Sequence, residues 1–183
     1  TEVNAQNKLE YFRKQNPKYL FPSFETIAGS GKNGAIVHYR ATKNNTKLLK
    51  KNELFLCDSG GQYKFGTTDV TRTICFRNQN KKIKNIFTNV LKGHIAVVKT
   101  DLNKKKTGRL IDFEARKFLK KSGLNYNHGT GHGVGFFLNV HEGPQAISKQ
   151  NSVKIQNGMV LSNEPGYYEK GKFGIRIENL IYA

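Results

Sequence analysis

The stretch LFLCDSGGQYKFGTTDVTRTICF, residues 54–76, decides the fold. Glu53 to Asp58 is an apolar run ending in a carboxylate, the pattern of a buried strand. Gly60, Gly61 and Gly66 bracket a turn, and Thr68 to Phe76 returns as a β-branched strand. Two strands around a glycine-bracketed loop predict a hairpin. Asp58 ends the outgoing strand and Asp69 lies on the return strand, so pairing brings both carboxylates to one face. Two acids so placed repel each other, and one stays protonated unless a cation neutralises them. A lone Asp beside a glycine turn reads as turn chemistry; a pair on facing strands reads as a cation site.

Working outward, residues 1–15 are predicted as a helix, with Val3, Leu9 and Phe12 at near-helical spacing. Segment 16–34 reads as loop with a short extended piece around Phe24 to Ala28, and Ala35 to Tyr39 reads as a strand carrying His38. Beyond the hairpin, residues 80–99 place Ile83, Ile86, Phe87, Val90, Leu91, Val97 and Val98 on one apolar helix face. Residues 109–122 do the same with Leu110, Phe113, Phe118 and Leu119, and Gly123 marks the stop. Residues 127–183 alternate glycine-rich turns with short strands. With no internal repeat and no linker, the reading is one α+β domain over 1–183 with the site on its sheet.

Three further motifs carry metal-type ligands. NHGTGHGVGFFLNVHEGP (127–144) holds His128, His132 and His141, three of the five histidines in the chain. Its glycines at 129, 131, 133 and 135 predict close approach of the backbone to a ligand. Glu164 lies in VLSNEPGYY, where the following proline and glycine fix the direction of the carboxylate. Glu178 lies in GIRIENL, read as a short strand on which Arg176 and Glu178 share a face among apolar neighbours. A carboxylate buried there needs a cation partner. Asp58, Asp69, His132, Glu164 and Glu178 form a hard, oxygen-rich donor set, which suits a pair of divalent ions better than a structural zinc. His94 sits mid-helix, apart from any motif, and reads as structural.

Composition sets the limits. The chain carries 31 basic and 13 acidic residues, a net charge of +18. Its lysines form short clusters without interleaved aromatic platforms or a nucleic-acid motif, so the reading is a solvated basic surface with salt-sensitive, non-specific adhesion to polyanions. No apolar run approaches the roughly 20 residues needed to span a bilayer, and the polar N-terminal segment does not read as a signal peptide. Cys57 and Cys75, outside any CxxC pattern, read as reduced thiols of a cytoplasmic protein.

Taken together, DSGGQYKFGTTDVTRT, HGTGHGVGFFLNVHEGP, NEPGYY and GIRIEN resemble, in order, the catalytic domain of the aminopeptidase P family of Xaa-Pro aminopeptidases. The resemblance implies the pita-bread (creatinase/aminopeptidase) fold, carried incompletely: an earlier helix, at least one upstream domain and the C-terminal end are expected to be absent. It implies two divalent metal ions, usually Mn2+, with Co2+, Fe2+ or Zn2+ as alternatives. Asp69 and Glu178 would bridge them, His132 and Glu164 would ligate one, and Asp58 the other. Hydrolysis of the N-terminal Xaa-Pro bond would proceed through a hydroxide shared by the two ions, with Glu164 as proton carrier and His141 at the oxyanion. His38 and His141 match substrate-handling histidines, His128 one near the leaving side, and Arg176 and Tyr168 supporting positions. Expected partners are peptides with proline second and, in the full-length protein, a second copy; neither a specific nucleic acid nor a membrane is expected. Prolidases and methionine aminopeptidases share the ligand set and remain alternatives. A non-catalytic peptide- or nucleic-acid-binding module is the reading from another class.

Overall fold

The computed structural model describes residues 1–137 and 140–183. Helix α1 (Glu2–Lys14) begins where the Thr1 hydroxyl accepts from the Asn4 N–H. Strands β1 (Tyr19–Pro22) and β2 (Ile27–Ser30) lead into a 3₁₀ turn, Gly31–Ala35. The decisive stretch follows as β3 (Leu54–Ser59), β4 (Gly61–Tyr63), β5 (Gly66–Thr67) and β6 (Val70–Cys75). Helices α2 (Lys81–Val98) and α3 (Gly108–Lys120) come next. Six short strands complete the chain: β7 (Gly131–His132), β8 (Ala146–Ile147), β9 (Val160–Asn163), β10 (Gly166–Glu169), β11 (Phe173–Arg176) and β12 (Asn179–Tyr182).

The expected hairpin is present. β3 pairs antiparallel with β6, Asp58 opposite Thr71 and Ser59 opposite Val70. β2 pairs with the other edge of β3, with Ile27 opposite Asp58, so β3 is the central strand of its sheet; all of it but Cys57 is buried, and it reads as a nearly continuous apolar run. Asp69 lies one residue before β6, beyond the ladder, rather than directly across from Asp58. The loop between the strands is more structured than a turn: β4 and β5 pair within it, and β4 also pairs with β1.

One core cluster joins α2 and α3 to β3 and β11 through Leu54, Ile86, Val90, Leu119, Tyr126, Phe173 and Ile175. A second gathers Val97, Ile111, Ala115, Ile147, Ile155 and Leu161. Both helices were expected to present a wider apolar face than they bury. On α2, Leu91 and Val98 are exposed. On α3, Leu110 and Phe113 are exposed, and the buried side is Ile111, Asp112, Ala115, Arg116 and Leu119. Hydrophobic periodicity misses this face because two of its inward residues are charged. Among the described residues no helix is long and apolar enough to cross a membrane.

The strand expected over Ala35–Tyr39 does not form; the 3₁₀ turn and a further turn occupy its place. Side chains, rather than a ladder, hold this segment. The buried Glu2 carboxylate accepts from the Ser30 and Lys47 N–H groups, the Asn33 amide and the Tyr39 hydroxyl. Gly34 packs so closely on Gly174 of β11 that a Cβ on Gly174 would overlap the Gly34 carbonyl.

Candidate metal centre

The four motifs converge on one cavity of about 300 Å³. Asp58 projects from β3, Asp69 from the link before β6, His132 from β7, Glu164 from the turn after β9, and Glu178 from the link between β11 and β12. Glu178 therefore lies just outside the strand expected for it, yet Arg176 and Glu178 line the same cavity. Asp58, Asp69 and Glu178 are buried, and His132 and Glu164 half-buried. Asp69, His132 and Glu178 each offer a ligand atom within 4.8 Å of the other two. His132 Nε2 lies 3.2 Å from Asp69 Oδ2 and 3.4 Å from Glu164 Oε1. Asp58 is tied to Arg176, Nη2 to Oδ2 at 2.7 Å.

The electrostatics follow from gathering four acids out of water. Burial raises the Asp58 pKa, against the pull of Arg176 and with a further push from Asp69. Burial likewise takes the Glu164 carboxyl up to about 7, opposed by His132 and Arg176. Glu178 is raised well above the usual carboxylate range by burial and then by Glu164, Asp58 and Asp69. For His132 burial opposes the proton, but the bond to Asp69 and the nearby Glu164 hold its pKa above the ordinary value. A buried anionic cluster of this kind retains protons unless a cation exchanges for them. Asp58 Oδ1 is buried with no hydrogen-bond partner, leaving an oxygen lone pair for a ligand. This donor chemistry fits hard to borderline divalent ions.

His38 and His141 are exposed at the cavity wall, the His141 ring centroid 4.1 Å from that of His132. His128 is more constrained. Its Nδ1 faces the Gly129 carbonyl at 2.7 Å, so this nitrogen carries the proton, and Nε2 accepts from the Tyr168 hydroxyl at 2.8 Å. Burial takes His128 down to about 4 and pushes Tyr168 up to about 12. Arg176 Nη1 donates to the same hydroxyl at 2.6 Å, so Asp58, Arg176, Tyr168 and His128 form one hydrogen-bonded chain. His94 lies outside the cavity, its ring 3.0 Å from the Asn163 carbonyl.

Two supporting residues were not anticipated from sequence. The Thr71 hydroxyl donates to Glu178 Oε2 at 2.6 Å. Ser162 accepts from the His132 N–H and donates to Glu164 Oε1, both at 2.9 Å. Short spacing was the available signal: Thr71 stands two residues after Asp69 and Ser162 two before Glu164. Two glycines of the histidine motif also let the chain approach itself. A Cβ on Gly131 would overlap the Ser162 carbonyl, and one on Gly133 the Glu142 carbonyl. Gly129 and Gly131 also line the cavity.

The profile of metallopeptidase family M24 matches residues 1–183. The chain belongs to metallopeptidase family M24. This M24 chain is 50% identical over 183 residues to a probable Xaa-Pro aminopeptidase P of Laccaria bicolor, covering 98% of the chain and 28% of that protein. It is 50% identical over 185 residues to aminopeptidase P2 of Arabidopsis thaliana, covering all of the chain and 26% of the relative. The M24 chain thus spans under a third of the length of these curated relatives. The X-prolyl aminopeptidase of Caenorhabditis elegans, described as a cytosolic enzyme with a di-nuclear active site, superposes with a TM-score of 0.90 at 39% identity. That match covers 100% of this chain and 30% of the other. The prolidase of Pyrococcus furiosus follows at 0.89 and 33%, covering 99% of this chain and 52% of its own. The fold is the pita-bread fold expected from the motifs.

Proposed function

We propose that the protein carrying this M24 chain is a dinuclear metallo-aminopeptidase that hydrolyses the N-terminal Xaa-Pro bond of peptides. The reading rests on one observation above the others: four carboxylates and an imidazole, drawn from separate motifs, line a single cavity. The half-identity to Xaa-Pro aminopeptidase P proteins supports the substrate class. Asp58, Asp69, His132, Glu164 and Glu178 would hold two divalent ions, with Asp69 and Glu178 shared between them. The oxygen-rich set favours Mn2+, with Co2+, Fe2+ or Zn2+ able to substitute. Such ions supply Lewis-acid polarisation of a carbonyl and lower the pKa of water.

The chain's own residues supply the rest. Glu164, 3.4 Å from His132 in the cavity, is placed to carry a proton between water and the leaving nitrogen. His141 beside His132 stabilises negative charge on the carbonyl oxygen, and His38, also at the cavity wall, handles the substrate. Arg176 keeps Asp58 in place, and Tyr168 donates to His128, which burial keeps neutral. The amide nitrogen before proline carries no N–H, and the apolar wall of Ile27, Val37 and Val140 offers a surface for the pyrrolidine ring. A cytoplasmic location follows the description of the C. elegans neighbour and the two free thiols, Cys57 and Cys75. Pairing of two copies belongs to the full-length protein.

The test is release of the N-terminal residue from an Xaa-Pro-Yaa tripeptide by the full natural polypeptide with added Mn2+. Cleavage is expected, and no cleavage overturns the proposal. The likeness to a prolidase keeps a dipeptidase as the second reading, and faster hydrolysis of the Xaa-Pro dipeptide than of the tripeptide would select it.

A further inference from the structure

One buried charge pair plays no part in the chemistry above. Asp112 and Arg116 stand one turn apart on α3, each almost wholly buried, with Nε donating to Oδ2 at 2.7 Å. Withdrawing two charges from water is costly, and an apolar pair of similar volume is often as stable or more so. The rest of this helix face is apolar, so stability alone does not account for the pair. What its remaining atoms hold is one segment, residues 125–130. Arg116 Nη1 donates to the Tyr126 carbonyl at 2.6 Å and to Asn125 Oδ1 at 2.9 Å, and Nη2 to the His128 carbonyl at 2.7 Å. The guanidinium carbon lies 3.9 Å from the Tyr126 ring centroid. Asp112 Oδ1 accepts from the Thr130 hydroxyl at 2.6 Å.

Residues 125–130 belong to no strand, so no ladder fixes their path. They nevertheless lead directly into the centre. The Thr130 carbonyl accepts from the Glu164 N–H at 2.7 Å, and His132 follows two residues later. We infer that Asp112 and Arg116 are positioning residues for the metal centre: a buried guanidinium template around which residues 125–130 wind, setting His132 and Glu164 in register with each other. The inference rests on reading His132 and Glu164 as metal ligands. A purely structural pair would be exchangeable for apolar residues without consequence for the cavity; a template would not.

The experiment is a Mn2+ titration by calorimetry, with thermal melts in chelator, on the full natural polypeptide and two variants. Asp112→Leu combined with Arg116→Met replaces the pair by apolar side chains. Its chelator melting temperature is expected within a few degrees of wild type, with Mn2+ affinity lower by about 10–100-fold, the range for supporting residues of metal sites. Thr130→Val keeps the pair and the volume and removes the hydroxyl that joins Asp112 and Tyr126; about a 10-fold loss is expected at the low end of that range. Wild-type affinity in a folded double variant overturns the inference. Should the double variant not fold, wild-type affinity in Thr130→Val overturns it. Absence of Mn2+ binding by the wild type would instead overturn the ligand reading on which the inference depends.

Discussion

On one side of the centre, Asp58 and Asp69 come from a hairpin whose strands stay in register from Leu54 opposite Cys75 to Ser59 opposite Val70. On the other, His132 rides a strand that shares only two residue pairs with its partner, Gly131 with Ile147 and His132 with Ala146. Backbone hydrogen bonds that many sequences could make hold the first side. The second depends on particular side chains: Ser162 under His132 and Glu164, and the α3 pair behind residues 125–130. A ladder spreads its support over many bonds, whereas a loop concentrates it in a few. Single substitutions away from the ligands should therefore disturb the histidine side more than the hairpin side.

The largest effect is expected from a ligand itself. Asp69→Ala removes a carboxylate from the tightest cluster, and metal content measured by mass spectrometry should fall; unchanged stoichiometry would remove Asp69 from the ligand set. Next comes His141→Ala, which should leave metal content intact and slow turnover by about 10²-fold, as for loss of an oxyanion donor. An unaffected rate would take His141 out of the chemistry.

A matched pair of supporting variants tests the comparison most directly. Ser162→Ala and Thr71→Val each delete one hydroxyl that donates to a proposed ligand carboxylate, Glu164 and Glu178 respectively. Each is expected to weaken Mn2+ binding, within the 10–100-fold range for such supports, and Ser162→Ala the more. The reverse order would break the distinction between ladder and loop.

A smaller effect is expected from pH. With Glu164 raised from an ordinary 4.5 to about 7, its contribution to the stability of the cation-free protein is full below about 4.5 and lost as pH rises through about 7. A divalent ion must displace that proton at pH 5.5 but finds the carboxylate more often ionised at pH 7.5. The rise in melting temperature with Mn2+ should therefore be larger at pH 7.5, and a larger rise at pH 5.5 would contradict the assignment of Glu164. The smallest effect belongs to Cys57→Ser. Cys57 is not among the residues that line the cavity, so metal content should not change.

Legibility in the sequence followed the same division. The helices at residues 2–14, 81–98 and 108–120 and the Asp58–Asp69 hairpin were readable because capping, periodicity and glycine-bracketed turns act over a few residues. The residues that converge on the cavity were readable from motif order and from the oddity of carboxylates in apolar surroundings. The strand expected at Ala35–Tyr39 failed because Glu2, far off in the chain, organises that segment through side-chain bonds. The α3 face was misread because its inner side carries Asp112 and Arg116, which a hydrophobicity pattern assigns to solvent.

By itself the sequence determined the three helices, the hairpin, the donor residue types and the family, since each depends on residue type and short spacing. Only the tertiary structure decided how Glu178 meets Thr71, how Ser162 spans His132 and Glu164, and why a helix buries an ion pair behind the histidine loop. Those relations depend on which distant segments share a space, and burial, which gives each contact its energetic weight, exists only once they do.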